Sequence, residues 1–149
     1  MPGDIAFQIY TFNTKATPLL PGTDREWQTT SEEAPLKKAL ENLRLVVPQD
    51  GTSLHNAFKV ARQFRPLPDN IFLIVDGLPT MAETKGKSTV IYPRDRMKIF
   101  NDAQQQLPDG IPVNTILFPM QGDPDATPAY WVMAYNTGGA LLSPSSDWP

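Results

Sequence analysis

The sequence predicts an α/β fold, a mostly parallel sheet flanked by helices, in a single domain. Three observations predict it. The run Asn70–Val75 does not alternate and is apolar from Ile71 on, as a strand covered on both faces is, and Pro112–Phe118 reads as another buried strand. Between and beside them lie segments with apolar residues at helical spacing. Strand-like and helix-like stretches therefore alternate, the order expected of βα units.

The first strand spans Asp4–Phe12, where Ile5, Phe7 and Ile9 alternate with Ala6, Gln8 and Tyr10. Asn13-Thr14 turns the chain into a short strand over Ala16–Leu20, placed at an edge because Pro18 lies inside it. Pro21-Gly22 breaks that pattern, and Thr23–Ala34 reads as polar loop. Pro35 suits a first helical turn, and Leu36, Ala39, Leu40 and Leu43 then mark one buried face. Pro48-Gln49-Asp50-Gly51 is a loop. A second helix carries Leu54, Ala57, Phe58, Ala61 and Phe64 on one stripe and ends at Arg65-Pro66-Leu67-Pro68.

After the strand Asn70–Val75, the residues Asp76-Gly77-Leu78-Pro79-Thr80 form a turn. Residues 82–95 read as a mixed-charge loop, with Lys85, Lys87, Arg94 and Arg96 nearby. A third helix covers Arg96–Leu107, with Met97, Phe100, Ala103 and Leu107 on its apolar face. The strand Pro112–Phe118 leads through a loop into an aromatic helix, Pro128–Asn136, stopped by Gly138-Gly139. Ala140-Leu141-Leu142 is a last short strand before a Ser/Pro-rich tail over 143–149. There are no internal repeats or low-complexity tracts.

Composition narrows the function classes. The 149 residues, 40% of them hydrophobic, suffice for one core. A net charge of −3 with 19% charged residues argues against disorder and against a non-specific nucleic-acid binder, which needs clustered basic residues. The absence of cysteine excludes disulfide scaffolds, zinc-thiolate sites and thiol catalysis. No apolar run is long enough to span a bilayer. Met1-Pro2-Gly3-Asp4 shows no basic segment followed by an apolar stretch, so no secretory signal is expected.

In open α/β sheets, ligands gather at the carboxyl ends of strands. Two segments should meet there: Asp50-Gly51-Thr52-Ser53-Leu54, which feeds a helix, and Asp76-Gly77-Leu78-Pro79-Thr80. With these two segments the chain resembles the von Willebrand factor type A family. The resemblance rests on Gly51-Thr52-Ser53-Leu54 with Ala57 one turn later, on Ile71 through Thr80, and on Val113-Asn114-Thr115-Ile116-Leu117-Phe118. Ala134-Tyr135-Asn136-Thr137-Gly138-Gly139 and the strand after it complete it.

The resemblance runs from Asp4 to about Leu142 and implies a Rossmann-like sheet and a non-enzymatic module for protein–protein binding or cell adhesion. Such domains hold magnesium or manganese in a metal-ion-dependent adhesion site of hydroxyl and carboxylate oxygens, completed by a partner's acidic residue. By resemblance, Thr52 is that site's threonine and Asp76 its aspartate, with Ser53 and Gly77 beside them in the binding loops. The family's Asp-x-Ser-x-Ser motif occurs nowhere in these 149 residues. The resemblance begins at the family's second strand, and the tail holds no apolar strand to replace the first. The domain is thus expected to be N-terminally truncated, with its central first strand absent, and the metal site to be partial until the missing ligands are supplied. The strands at Asp4–Phe12 and Asn70–Val75 would then pair directly, or another chain would fill the slot between them.

A second expectation, from another class, is a structural or assembly fragment. Its exposed inner edge would pair with another copy or a complementing chain by strand exchange, without a metal function. Plainer roles stand beside the functional ones. Thr52 or Ser53 suits a helix cap, and Asp76-Gly77 an ordinary turn. His55, the only histidine, has no serine elbow to serve and reads as solvated. Asp24, Glu26, Glu32 and Glu33 lie in polar loop and read as surface. Tyr130, Trp131 and Tyr135 read as core and rim packing. A metal-dependent hydrolase using Asp76 would need a second aspartate two residues on, where Leu78 stands. No Gly-x-x-x-x-Gly-Lys run exists to cradle a phosphate.

Overall fold

The computed structural model describes residues 4–47, 51–84, 91–118 and 121–144. The chain order is β1 (Ala6–Phe7), β2 (Tyr10–Phe12), β3 (Ala16–Pro18), β4 (Gln28–Thr29), α1 (Glu33–Leu43), α2 (Leu54–Ala61), β5 (Ile71–Val75), α3 (Pro93–Gln104), β6 (Val113–Leu117), α4 (Ala126–Thr137) and β7 (Leu141–Leu142). The fold is mixed α/β. A three-stranded parallel sheet, ordered β5–β6–β7, is joined by two antiparallel ribbons, β1 with β4 and β2 with β3.

The parallel sheet pairs Ile71 with Val113 and runs in register to Val75 with Leu117. Leu73, Val75, Val113 and Leu117 point to one face. There they meet Leu54 and Phe58 of α2, Phe100 and Ala103 of α3, and Ala129, Tyr130 and Met133 of α4. Phe100 and Tyr130 pack edge to face at 4.9 Å, a favoured aromatic geometry. The apolar stripes of α2 and α3 thus find the partners that their periodicity requires. Gly138, at φ +75°, closes α4 in the left-handed conformation that glycine adopts without strain.

The expectation of a sheet flanked by helices on both faces is corrected. All three helices packed on the parallel sheet lie on its Leu73 side, so β5 alternates where its sequence does not. Phe72 is 72% exposed and Ile74 62%. Beside them Ile116 is half-buried, while Phe118 and Leu142 are exposed. The leucine stripe of α1 is corrected likewise. Only Ala39 is buried, against Leu19, Leu20 and Ile9, while Leu36, Leu40 and Leu43 stay exposed. A two-stranded ribbon is too narrow to cover the whole stripe.

The single strand expected over Asp4–Phe12 is two strands. At the break, Gln8 Nε2 donates to the Thr23 and Glu26 carbonyls and Gln8 Oε1 accepts from Ile9 N. That side chain takes over the local hydrogen bonding, and the chain changes partner there from β4 to β3. The loop expected over Thr23–Ala34 contains β4 and the start of α1. Helices α3 and α4 begin earlier than expected, at Pro93 and Ala126, because Pro93 opens the first turn of α3 and Pro128 sits inside that of α4. Helix α2 stops at Ala61, and Phe64 is buried beyond its end. Trp131 and Tyr135 are not core. They are exposed and stack on each other at 5.8 Å, and only Tyr130 of the three aromatics faces inward. The expected loop residues Pro48, Gln49, Asp50, Lys85 and Lys87 and most of the tail lie outside the described residues.

Candidate functional site

Helix α2 begins on a cap. Ser53 is wholly buried, and its Oγ accepts from Asn56 N at 3.3 Å while donating to the Ala82 carbonyl at 2.6 Å. The cap satisfies a helix-terminal amide and contributes about 1 kcal/mol. The hydroxyl is therefore engaged inside the fold. Thr52 is tied to the turn after β5 by its backbone. Its N donates to Thr80 Oγ1 at 2.8 Å, and its carbonyl accepts from Thr80 N and Met81 N. These bonds bring together the two segments that the sequence places at the sheet's carboxyl end.

Asp76 leaves the end of β5 exposed to solvent, and Gly77 turns inward. Its carbonyl accepts from the Tyr130 hydroxyl at 2.9 Å, and the next amide, Leu78 N, donates to Asp123 Oδ2 at 2.7 Å. Arg96 completes the arrangement. It pairs with Asp123 Oδ2 at 2.8 Å and donates to the Leu78 carbonyl. The side chains are only 18% and 7% exposed, so solvent screens this pair little. A Cβ on Gly77 would stand 2.6 Å from Asp123 Oδ2, so glycine is what lets the carboxylate approach. Burial raises the pKa of the Tyr130 hydroxyl, and Asp123 adds to the effect, so Tyr130 stays a neutral donor.

Thr52 and Asp76 line one cleft of about 290 Å³ together with Phe12, Lys15, Val46 and Val47. The expected pair of oxygen-bearing side chains is thus brought together. Ser53 and Gly77 stand behind it, as cap and as packing space. The ammonium-bearing Lys15 lies on the same cleft and pairs with no acidic side chain among the described residues. His55, expected in solvent, is half-buried near Glu83, whose carboxyl is held below its ordinary value chiefly by the Lys59 ammonium.

These residues do not by themselves fit magnesium or manganese. Two oxygen-bearing side chains are far from an octahedral shell, and Asp123 is already engaged by Arg96 and Leu78 N. Lys15 adds a like charge on the cleft. Among the described residues, no three His, Cys, Asp or Glu side chains stand together as a metal site. The thermal midpoint of this chain is therefore expected to be the same in EDTA and in millimolar magnesium. A ligand bound at a hundred times its dissociation constant would stabilise the fold by about 2.7 kcal/mol, so an upward shift of several degrees would overturn this.

Arg96, Asp123, Tyr130 and Lys15 were not legible as site residues, and Arg96 in particular reads as part of a solvated basic stretch. Of these, Asp123 alone carries a positional signal, lying in the segment between β6 and α4 beyond the sheet's carboxyl end. No helix among the described residues is long and apolar enough to cross a membrane. Nothing matches this chain among protein-family models, curated proteins or solved structures.

Proposed function

We propose that this chain is a non-enzymatic protein-binding module that takes up an extended segment of another polypeptide along the free edge of β5. One observation carries the reading. Ile71 N donates to the Pro112 carbonyl and Val75 accepts from Phe118 N, so Ile71, Leu73 and Val75 face β6. By alternation, the amides and carbonyls of Phe72 and Ile74 face the opposite edge, where no strand lies among the described residues. The edge Ile-Phe-Leu-Ile-Val carries neither charge nor proline, the features that normally blunt such edges. Strand β2 does not pair with it, so direct pairing of the two inner strands does not fill this place.

Between the adhesion-type and the assembly readings of the sequence, the open edge favours binding through the sheet. The partial metal site fits the same picture in a subordinate role. Thr52 and Asp76 stand at the end of the slot and would serve magnesium or manganese if the incoming segment brought further oxygen ligands, with an acidic residue of the bound protein closing the shell.

An uncomplemented edge of this kind pairs with other copies. Light scattering is expected to give an apparent mass that rises with concentration, and Ile74→Pro should hold the chain monomeric. The Ile74 amide faces the open edge, so proline there removes no bond of the β5–β6 ladder. A wild-type chain that stays monomeric at every concentration, with slow exchange at the Phe72 and Ile74 amides, would sink the reading.

A further inference from the structure

Building on that strand-addition reading, we propose that the segment entering beside β5 carries an amphipathic helix, which covers the bare outer face of the parallel sheet and the leucine stripe of α1. The outer face is continuous. Register places Ile74 beside Ile116 and Ile116 beside Leu142, with Phe72 and Phe118 two residues along β5 and β6. All five are apolar, and four are largely exposed. Apolar patches larger than a few hundred Å² mark interaction surfaces, and these neighbouring side chains build one open apolar face. Parallel sheets in particular are buried on both faces, and the covering elements are helices.

The position of α1 selects a helix as the cover. On β2, Phe12 packs into the core with α2 and Tyr10 meets Phe64, whereas Ile9, on the opposite face, packs with Ala39 of α1. Helix α2 also packs on the Leu73 side of the parallel sheet. Helix α1 lies across its ribbon from α2, as Phe72 and Ile74 lie across the parallel sheet from α2, and a helix covering that sheet would lie level with α1. Leu36, Leu40 and Leu43 recur along one face of α1, the spacing that packs against another helix. A helix about 10 Å across, laid on the sheet beside α1, would touch both apolar surfaces. Val46 and Val47, just after α1, reach the cleft at Asp76, so the segment after α1 runs to the end of the strand slot. One strand–helix unit would fill both places, and a lone extended peptide would fill only the slot.

Two synthetic probes separate these cases: an uncharged Val/Thr strand peptide, and the same strand followed by a glycine turn and an amphipathic Leu/Glu/Lys helix of about 14 residues. The strand–helix probe is expected to bind at least about tenfold more tightly, the equivalent of about 1.4 kcal/mol. Leu40→Lys and Phe118→Lys should each remove that gain and leave the strand peptide's affinity unchanged. Both residues are more than half exposed, so the variants are expected to fold, which their thermal melts would check. Equal affinity of the two probes, insensitive to both variants but lost in Ile74→Pro, would overturn the helix and leave strand addition standing. Failure of both probes to bind would overturn both.

Discussion

A Gly139→Ala variant is expected to lose about 3 kcal/mol of stability or more, the upper range for overpacking a folded interior. The added Cβ would stand 2.1 Å from the Val113 carbonyl oxygen, 2.5 Å from its carbon and 2.9 Å from its nitrogen. All three atoms are backbone of the central strand, so no flexible side chain can move aside. The neighbourhood is also fastened. Gly139 N donates to the Ala134 carbonyl, Thr115 N donates to the Ala140 carbonyl, and Val113 N donates to Thr137 Oγ1. Moving Gly139 away from Val113 would strain the end of α4 and the start of β7 together. Gly110→Ala is the comparison. At φ +72° it has nothing within 4 Å, so it bears only the left-handed penalty of about 1–2 kcal/mol. Urea unfolding of the two variants should show Gly139→Ala clearly the less stable. Equal midpoints would mean that β6 does not approach Gly139 so closely.

Most of the parallel sheet was legible because its signals are local. A continuous apolar run marks β5, the Val113–Leu117 segment marks β6, and stripes at helical spacing mark α2 and α3, down to Leu54, Phe58, Phe100 and Ala103. The N-terminal ribbons were not. Nothing in the alternation of Ile5, Phe7 and Ile9 reports that Gln8 takes over the hydrogen bonds at its position, and β4 is two residues held only by their pairing with β1. Periodicity also describes a face without describing its partner. The stripe of α1 and the run of β5 are as apolar as a buried position requires, yet Leu40 and Phe72 lie open. Each departure lies across its own sheet from α2, where a strand–helix partner is proposed above. The proximity of Thr52 and Asp76 was legible because each sits in a turn leading to or from a strong element. Arg96, Asp123 and Tyr130 come from three segments that only the tertiary fold brings together.

That unread trio carries the other large effect. Asp123→Ala is expected to cost about 3–5 kcal/mol, the range for removing one partner of a buried ion pair. The loss would leave the Arg96 guanidinium, whose Nε already lacks a partner, in a nearly dry site without its counter-charge, and would free Leu78 N as an unpaired donor. Asp123→Asn keeps an acceptor oxygen for Leu78 N and should cost less. Arg96→Met in the Asp123→Ala background removes the stranded charge, so the double variant should regain part of the stability. A denaturant double-mutant cycle would then give a coupling of about 1–3 kcal/mol. An Asp123→Ala variant within 1 kcal/mol of wild type would overturn the account. The consequence reaches the open edge of β5, where strand addition is proposed, because Asp123, Arg96 and Tyr130 all hold the backbone of Gly77 and Leu78, the residues that follow Asp76. The trio fixes the carboxyl end of β5 from inside the core, which leaves the outer edge of that strand free to receive another chain without reorganising the turn beside it.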